Sequence, residues 1–328
     1  MTVNIAFKAP DALVFVTDGL ATLMKVDENG EESFLSNMES VEKLVVLSNG
    51  VSGTTAPVLA MFNGVGSLGA GAVATDLRAI DNAQPRRLDE TVGSYLARVA
   101  DLLRATTLRR LPALPRPFHL IAAGFDGHGT DAVPSLHALQ WRADGGEPLA
   151  YGVLESSDAN GATTHQYGAH YVGLTEAVAR FVEGYDPGLP EQLGSLLAGM
   201  GGLAPPGLLE RLAQEACRTA GGRALSNDEA SRLVDKYTFM IVRAAFQQPA
   251  TEEMSQHFSL QSAIDYCVFL AQCAYARENL SPTRKGAPRV GSTLQVAYVA
   301  PGQDPVRLAG IRLGIRVHGY TAAPGVGA

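Results

Sequence analysis

The chain has 328 residues, 46% of them apolar and 18% charged, which is enough length and apolar content to bury one large core or two smaller ones and excludes disorder for the bulk of it. With 26 Lys plus Arg against 33 Asp plus Glu the formal net charge is −7, so the sequence carries no basic field to neutralise phosphates or an anionic membrane surface. Nucleic acid is excluded as an expected partner, no apolar run approaches the roughly 20 residues that span a bilayer, and the first residues lack a basic-then-apolar leader, so a cytoplasmic protein is expected.

In chain order, Asn4 to Lys8 and Ala12 to Val16 read as short strands around the Pro10-Asp11 turn. Lys43 to Leu47 and Pro57 to Phe62 read as a second pair around Asn49-Gly50 and Gly53. Gly66 to Ile80 is Ala-rich and reads as helix. Leu88 to Leu103 reads as a stronger one, since Val92, Leu96, Val99, Leu102 and Leu103 recur at helical spacing behind Asp89-Glu90. Past the Pro112 to Pro117 turn region, His119 to Ala123, Leu136 to Trp141 and Ala150 to Leu154 are strand-like, and a helix through Thr175, Val178 and Phe181 follows His170. Residues 186–257 are punctuated by Gly and Pro and contain helical pieces, one opened by the capping box Ser226-Asn227-Asp228-Glu229, and are read as a helical insertion. A long helix, Leu260 to Glu278, leads through a Pro/Arg-rich loop to strands Leu294 to Val299 and Ile311 to Val317. The tail from Thr321 reads as frayed.

Strands grouped by short turns and helices grouped in pairs predict an α+β fold with antiparallel sheets. Gly64-Val65-Gly66-Ser67-Leu68-Gly69 is formally a GxGxxG, but residues 77–95 hold no second strand ending in an acidic residue, as a dinucleotide site would require. Close packing of helix on strand is the preferred explanation of these glycines. The three cysteines, Cys217, Cys267 and Cys273, form no CxxC pair and read as buried thiols. The seven histidines show neither HxxxH nor HxH spacing, and no GxSxG elbow is present, so neither a metal centre nor a Ser-His hydrolase is expected, and no cofactor is implied.

Thr2 follows Met1 directly, and a small second residue favours removal of the methionine, which would leave a threonine with a free α-amine. Hydroxyl and base would then share one residue, because an α-amine titrates near ~8 and can take the hydroxyl proton as the oxygen attacks a carbonyl.

Residues 2–22, TVNIAFKAPDALVFVTDGLAT, resemble the N-terminus of mature proteasome β subunits and of their bacterial ATPase-partnered relative, with Asp18-Gly19-Leu20-Ala21-Thr22 as the specific part. The resemblance implies a nucleophilic Thr2, an Asp18 that holds a lysine, and Lys43 as that lysine, displaced by the longer loop Lys25 to Ser40. Among the five lysines Lys8, on the first strand, is the competitor. It implies further an oxyanion site at Asn63-Gly64, built on the Gly64 N–H. At the far end, Phe258 to Ser281 resembles the family's fourth helix and the loop after it, with Glu278 standing for the family's Asp and Ser281 for its Ser. Tyr167-Gly168-Ala169 stands where the family has an auxiliary serine, which Gly168 cannot replace.

The fold so implied is a four-layer αββα sandwich of N-terminal-nucleophile type, a single domain over 1–328 with the 186–257 insertion inside it. The function implied is a threonine amide-bond hydrolase, a self-compartmentalised proteasome-like peptidase acting on a peptide or small amide, assembled as a homo-oligomeric ring with an ATPase or cap partner. The alternative is a catalytically inactive ring scaffold of the same fold.

Overall fold

In a computed structural model of the chain the described residues are 2–26, 32–48, 57–68, 71–106, 114, 117–127, 131–142, 148–157, 163–173, 176–182, 214, 226, 229, 256–280 and 290–313. Almost all of the 186–257 insertion therefore lies outside them. Of its expected features, Ser226 and Glu229 are described and do form reciprocal capping contacts, Ser226 N–H donating to Glu229 Oε2 at 2.9 Å and Glu229 N–H to Ser226 Oγ at 3.3 Å.

The protein is mixed α/β with mostly antiparallel sheets. The first hairpin joins β1 (Val3–Lys8) to β2 (Leu13–Asp18), and every position of both strands is buried. A strand covered on both faces loses apolar-polar alternation, which is why VNIAFK and LVFVTD read as near-continuous apolar runs. β3 (Ala21–Val26) and β4 (Glu32–Met38) form a separate two-stranded ribbon in what the sequence reads as a loop, because β4 is ESFLSNM, too polar to register as a strand. β5 (Leu44–Leu47) pairs with β6 (Val58–Asn63), and a two-residue ladder, β7 (Ser67–Leu68) with β8 (Gly71–Ala72), precedes the first helix.

That helix, α1 (Val73–Ala83), begins later than the Gly66 expected from composition, since β7 and β8 occupy the glycine-rich stretch. α2 (Val92–Thr106) buries Val92, Tyr95, Leu96, Val99 and Leu103 on one stripe. β9 (Phe118–Asp126) and β10 (Val133–Trp141) are long, and β11 (Leu149–Gly152) is a short exposed edge. β12 (Glu155–Ser157) pairs with β13 (Thr163–His165), and β14 (Gly168–Gly173) leads to α3 (Glu176–Val182). β14 is invisible to strand patterning because GAHYVG is bounded by glycines and only partly buried.

The last helix, α4 (Leu260–Leu280), precedes β15 (Thr293–Val299) and β16 (Val306–Arg312). β16 starts five residues before the expected Ile311. The turn after β15 closes at once, Gln303 N–H donating to Ala300 O at 3.1 Å, and so pairing begins at Val306 opposite Tyr298.

Two five-stranded sheets result, β14-β1-β2-β15-β16 and β11-β10-β9-β6-β5. Three apolar clusters organise them. One joins α1 and α2 to the second sheet through Val45, Ala60, Phe62, Leu120, Ala122 and Trp141. Another joins α3 and α4 to the first sheet through Val3, Ile5, Phe7, Val14, Val16 and, on α4, Ala263, Cys267, Leu270 and Ala274. The third joins the two sheets, with Ala6, Leu13 and Phe15 from one and Leu59, Met61, Ile121, Ala123 and Leu136 from the other. Fully burying each such Leu, Ile or Phe contributes about 2 kcal/mol. Among the described residues no helix is long and apolar enough to cross a membrane.

Candidate active site

Thr2 sits just before β1, Asp18 ends β2 and Lys43 precedes β5, and all three are buried. β1 and β2 pair in antiparallel register, Asn4 opposite Thr17, which brings the start of one strand beside the end of the other. Across that junction Val3 N–H donates to Asp18 Oδ1 at 2.9 Å. Asp18 Oδ2 accepts two more backbone N–H groups, from Leu20 at 3.1 Å and from Gly291 at 3.0 Å. A carboxylate holding three N–H donors is fixed in position.

Lys43 Nζ donates to Thr2 Oγ1 and to Leu20 O, and lies 3.4 Å from Asp18 Oδ1. Burial pushes the Lys43 ammonium below its ordinary pKa, and Asp18 opposes that shift. The result is a cation held against a hydroxyl, with a carboxylate behind it.

Gln295 on β15 is what fixes Lys43, and it belongs to no motif in the sequence. Its Oε1 accepts Lys43 N–H at 3.0 Å and Leu44 N–H at 3.1 Å, while its Nε2 donates to Val41 O at 2.6 Å. Its signal could have come only from knowing that β15 lies beside β2, since the pair is more than 250 residues apart in sequence. On the other side of Lys43, Phe62 N–H donates to Lys43 O at 3.2 Å, which places the end of β6, Asn63-Gly64, next to it.

Gly64 follows β6 with φ of +96°, and a Cβ there would lie 1.9 Å from Pro117 O, so neither its conformation nor its space admits a side chain. Close backbone packing thus accounts for this glycine of the GxGxxG, and the helix starts only at Val73. Glu278 is buried in the last turn of α4, and its neighbour Asn279 donates to Val290 O at 2.6 Å, one residue before the Gly291 that contacts Asp18. Ser281 lies outside the described residues.

Lys8 is at the other end of β1, about 17 Å along the strand from Val3 at ~3.3 Å per residue. There its Nζ meets Glu155 Oε1 at 3.3 Å, Leu154 O at 3.3 Å and His165 Nδ1 at 3.2 Å. Gly168 is likewise at that far end, paired with Lys8, so Tyr167-Gly168-Ala169 does not stand beside Thr2. The residue of β14 that does is Gly173, opposite Val3, whose Cβ would lie 1.9 Å from Thr2 O and 3.2 Å from Asn63 Nδ2. The sequence reading assigns no strand between Leu154 and the third helix, whereas Gly168 begins a six-residue antiparallel ladder with β1. Among the described residues no group of three or more His, Cys, Asp or Glu side chains could hold a metal ion.

No family model and no curated protein matches the chain in sequence. Solved structures similar to it include Anbu (ancestral beta-subunit) from Yersinia bercovieri, at 10% identity and a TM-score of 0.41 over 94% of this chain and 86% of that one. Anbu from Hyphomicrobium sp. strain MC1 is similar at 12% identity and a TM-score of 0.42, over 94% and 87%. These neighbours overturn the family expected from residues 2–22, a proteasome β subunit of the bacterial ATPase-partnered type. Of the residues in that pattern Lys43 meets Thr2 and Asp18 meets Lys43, while the 167–169 segment falls at the other end of β1.

Proposed function

We propose that the chain is an amide-bond hydrolase whose nucleophile is the hydroxyl of Thr2, exposed as an N-terminal residue once Met1 is removed. The observation that carries this reading is the Lys43 ammonium placed on Thr2 Oγ1 and backed by Asp18. An ammonium at that position favours developing negative charge on the oxygen and disfavours protonation of the Thr2 amine, leaving the amine free to act as base. Thr2 Oγ1 then attacks the carbonyl, its proton passing to the amine and on to the leaving nitrogen as the C–N bond breaks. Water hydrolyses the resulting ester with the same amine as base.

In this scheme the Gly64 N–H receives the carbonyl oxygen, supported by the approach of Asn63-Gly64 to Lys43. Glu278 and Ser281 are assigned to orient the amine. The three apolar clusters support a four-layer αββα arrangement in one domain. A homo-oligomer is also proposed, supported by β11, which is an edge of its sheet among the described residues and carries the exposed Leu149 and Tyr151.

The test is intact mass after reaction with an amine-and-hydroxyl-directed electrophile such as an epoxyketone. A chain starting at Thr2 that gains one adduct in the native protein and none in Thr2→Ala is expected. A chain that keeps Met1 in its host refutes the catalytic reading and leaves the inactive scaffold.

A further inference from the structure

β5, which Lys43 immediately precedes, is an edge of its sheet among the described residues, and β16 is an edge of the other sheet. Phe62 N–H donates to Lys43 O, so Leu44, one residue on, turns its own N–H and carbonyl away from β6 and off that edge. Gln295 accepts the Leu44 N–H, and the carbonyl is met from the other sheet, where Arg307 Nη2 on β16 donates to Leu44 O at 2.8 Å. A guanidinium carries several donors in one plane, and the Nη1 of Arg307 donates to Glu42 Oε1 at 2.8 Å. The same carboxylate oxygen accepts from Arg78 Nη2 on α1 at 2.5 Å.

Glu42, the residue before Lys43, is therefore held by arginines from two different layers, and one carboxylate ties α1 and β16 to the strand between them. Stability is not what these contacts chiefly supply. The side chains of Arg78, Glu42 and Arg307 are 43%, 33% and 44% exposed, and ion pairs so open to water contribute about 0–1 kcal/mol each. What they restrict is position. Burial acts to raise the Glu42 pKa, but the hydrogen bonds from Arg78 and Arg307 outweigh it and hold the carboxyl below its ordinary value, so the clamp is ionised at neutral pH. Lys43 reaches Thr2 Oγ1 at the end of a four-carbon stem, so a small movement of its backbone becomes a displaced ammonium.

We propose that Glu42 is a positioning residue: clamped between Arg78 and Arg307, it fixes the backbone from which Lys43 reaches Thr2, and so supports the rate of hydrolysis without touching substrate. The effect on rate rests on Thr2 being the nucleophile; the placement of Lys43 does not.

The experiment follows Lys43 as well as the rate, in the full chain labelled with 13C at lysine Cε. The chain has five lysines, and the signal lost in Lys43→Arg is that of Lys43. Burial holds the Lys43 pKa below its ordinary value, so an ammonium released toward water titrates higher. Glu42→Ala and Arg307→Met each remove one end of the clamp. Both should raise the Lys43 titration midpoint and lower kcat by about tenfold, with KM little changed. A charge acting only through space would move the midpoint in opposite directions, down when the carboxylate is removed and up when the guanidinium is. That result overturns the proposal, as does an unmoved midpoint in either variant or a change confined to KM. A raised midpoint in both variants of a protein whose wild type shows no Thr2-dependent hydrolysis refutes the hydrolase and leaves the placement of Lys43 by Glu42 standing.

Discussion

Lys43 Nζ reaches Thr2 Oγ1 while lying 3.4 Å from Asp18 Oδ1, so one buried ammonium joins the proposed nucleophile to a carboxylate anchored by three backbone N–H groups. Because Asp18 keeps those three donors when the lysine is lost, Lys43→Ala should fold while amide hydrolysis falls by about a hundredfold or more, the scale of removing a preorganised electrostatic group. Lys8→Ala should show the reverse: a near-normal rate, with about 2 kcal/mol less stability because Glu155 loses its buried cation. Rates and urea midpoints of the two variants decide it; a Lys43→Ala enzyme with an unaltered rate would remove the site assignment.

The N-terminal hairpin, the β5–β6 pair, β9, β10 and α4 were legible because their apolar runs are long and are broken by Pro or Gly turns. Asp18 and Lys43 are named from the resemblance of residues 2–22 and of the strand that Lys43 heads, and the structure brings Lys43 to both Thr2 and Asp18. Gln295 and Gly173 were not legible. Each depends on which distant strand is neighbour to which, β15 beside β2 and β14 beside β1, and local pattern carries no information on that pairing. The 167–169 segment is aligned to the family's serine position without the β1–β14 register, which pairs Gly168 with Lys8.

Gln295→Met should lower the rate by about tenfold or more with little change in substrate affinity. Its carboxamide satisfies two N–H groups and one carbonyl in the Val41–Leu44 segment, so the methionine, similar in volume, loosens the backbone that aims Lys43 without touching substrate. Separate measurement of kcat and KM tests this. A change confined to KM would mean that Gln295 shapes the binding surface instead.

His170 makes stability pH-dependent. Its pKa in the fold is about 4 against an ordinary 6.5, through burial and then the neighbouring His119. As pH falls below ~6.5 the unfolded chain takes up a proton there that the native chain refuses, so stability falls by up to ~1.4 kcal/mol per pH unit until the native imidazole protonates near 4. The loss amounts to about 3 kcal/mol. Urea unfolding at intervals from pH 7 to pH 4 should show that slope, and His170→Phe should flatten most of it; an identical slope in the variant would assign the effect to other groups.

Gly173→Ala should damage both stability and activity although it adds one methyl group. With φ of +101° the alanine would be strained in any surroundings, and its Cβ would fall 1.9 Å from the Thr2 carbonyl oxygen, a backbone atom that cannot rotate away. Relief requires β14 to move off β1 at the Val3–Gly173 pair, which is where Thr2 is anchored. About 2 kcal/mol or more of destabilisation is expected. The rate should fall further than stability explains, since a shift of even ~1 Å at the nucleophile is worth about a hundredfold. Gly168→Ala provides the comparison, because it lies opposite Lys8 at the far end of the same ladder and should leave the rate within about threefold of wild type once folded protein is counted. If the two alanine variants lost activity equally, the placement of Gly173 beside the nucleophile would not be what matters.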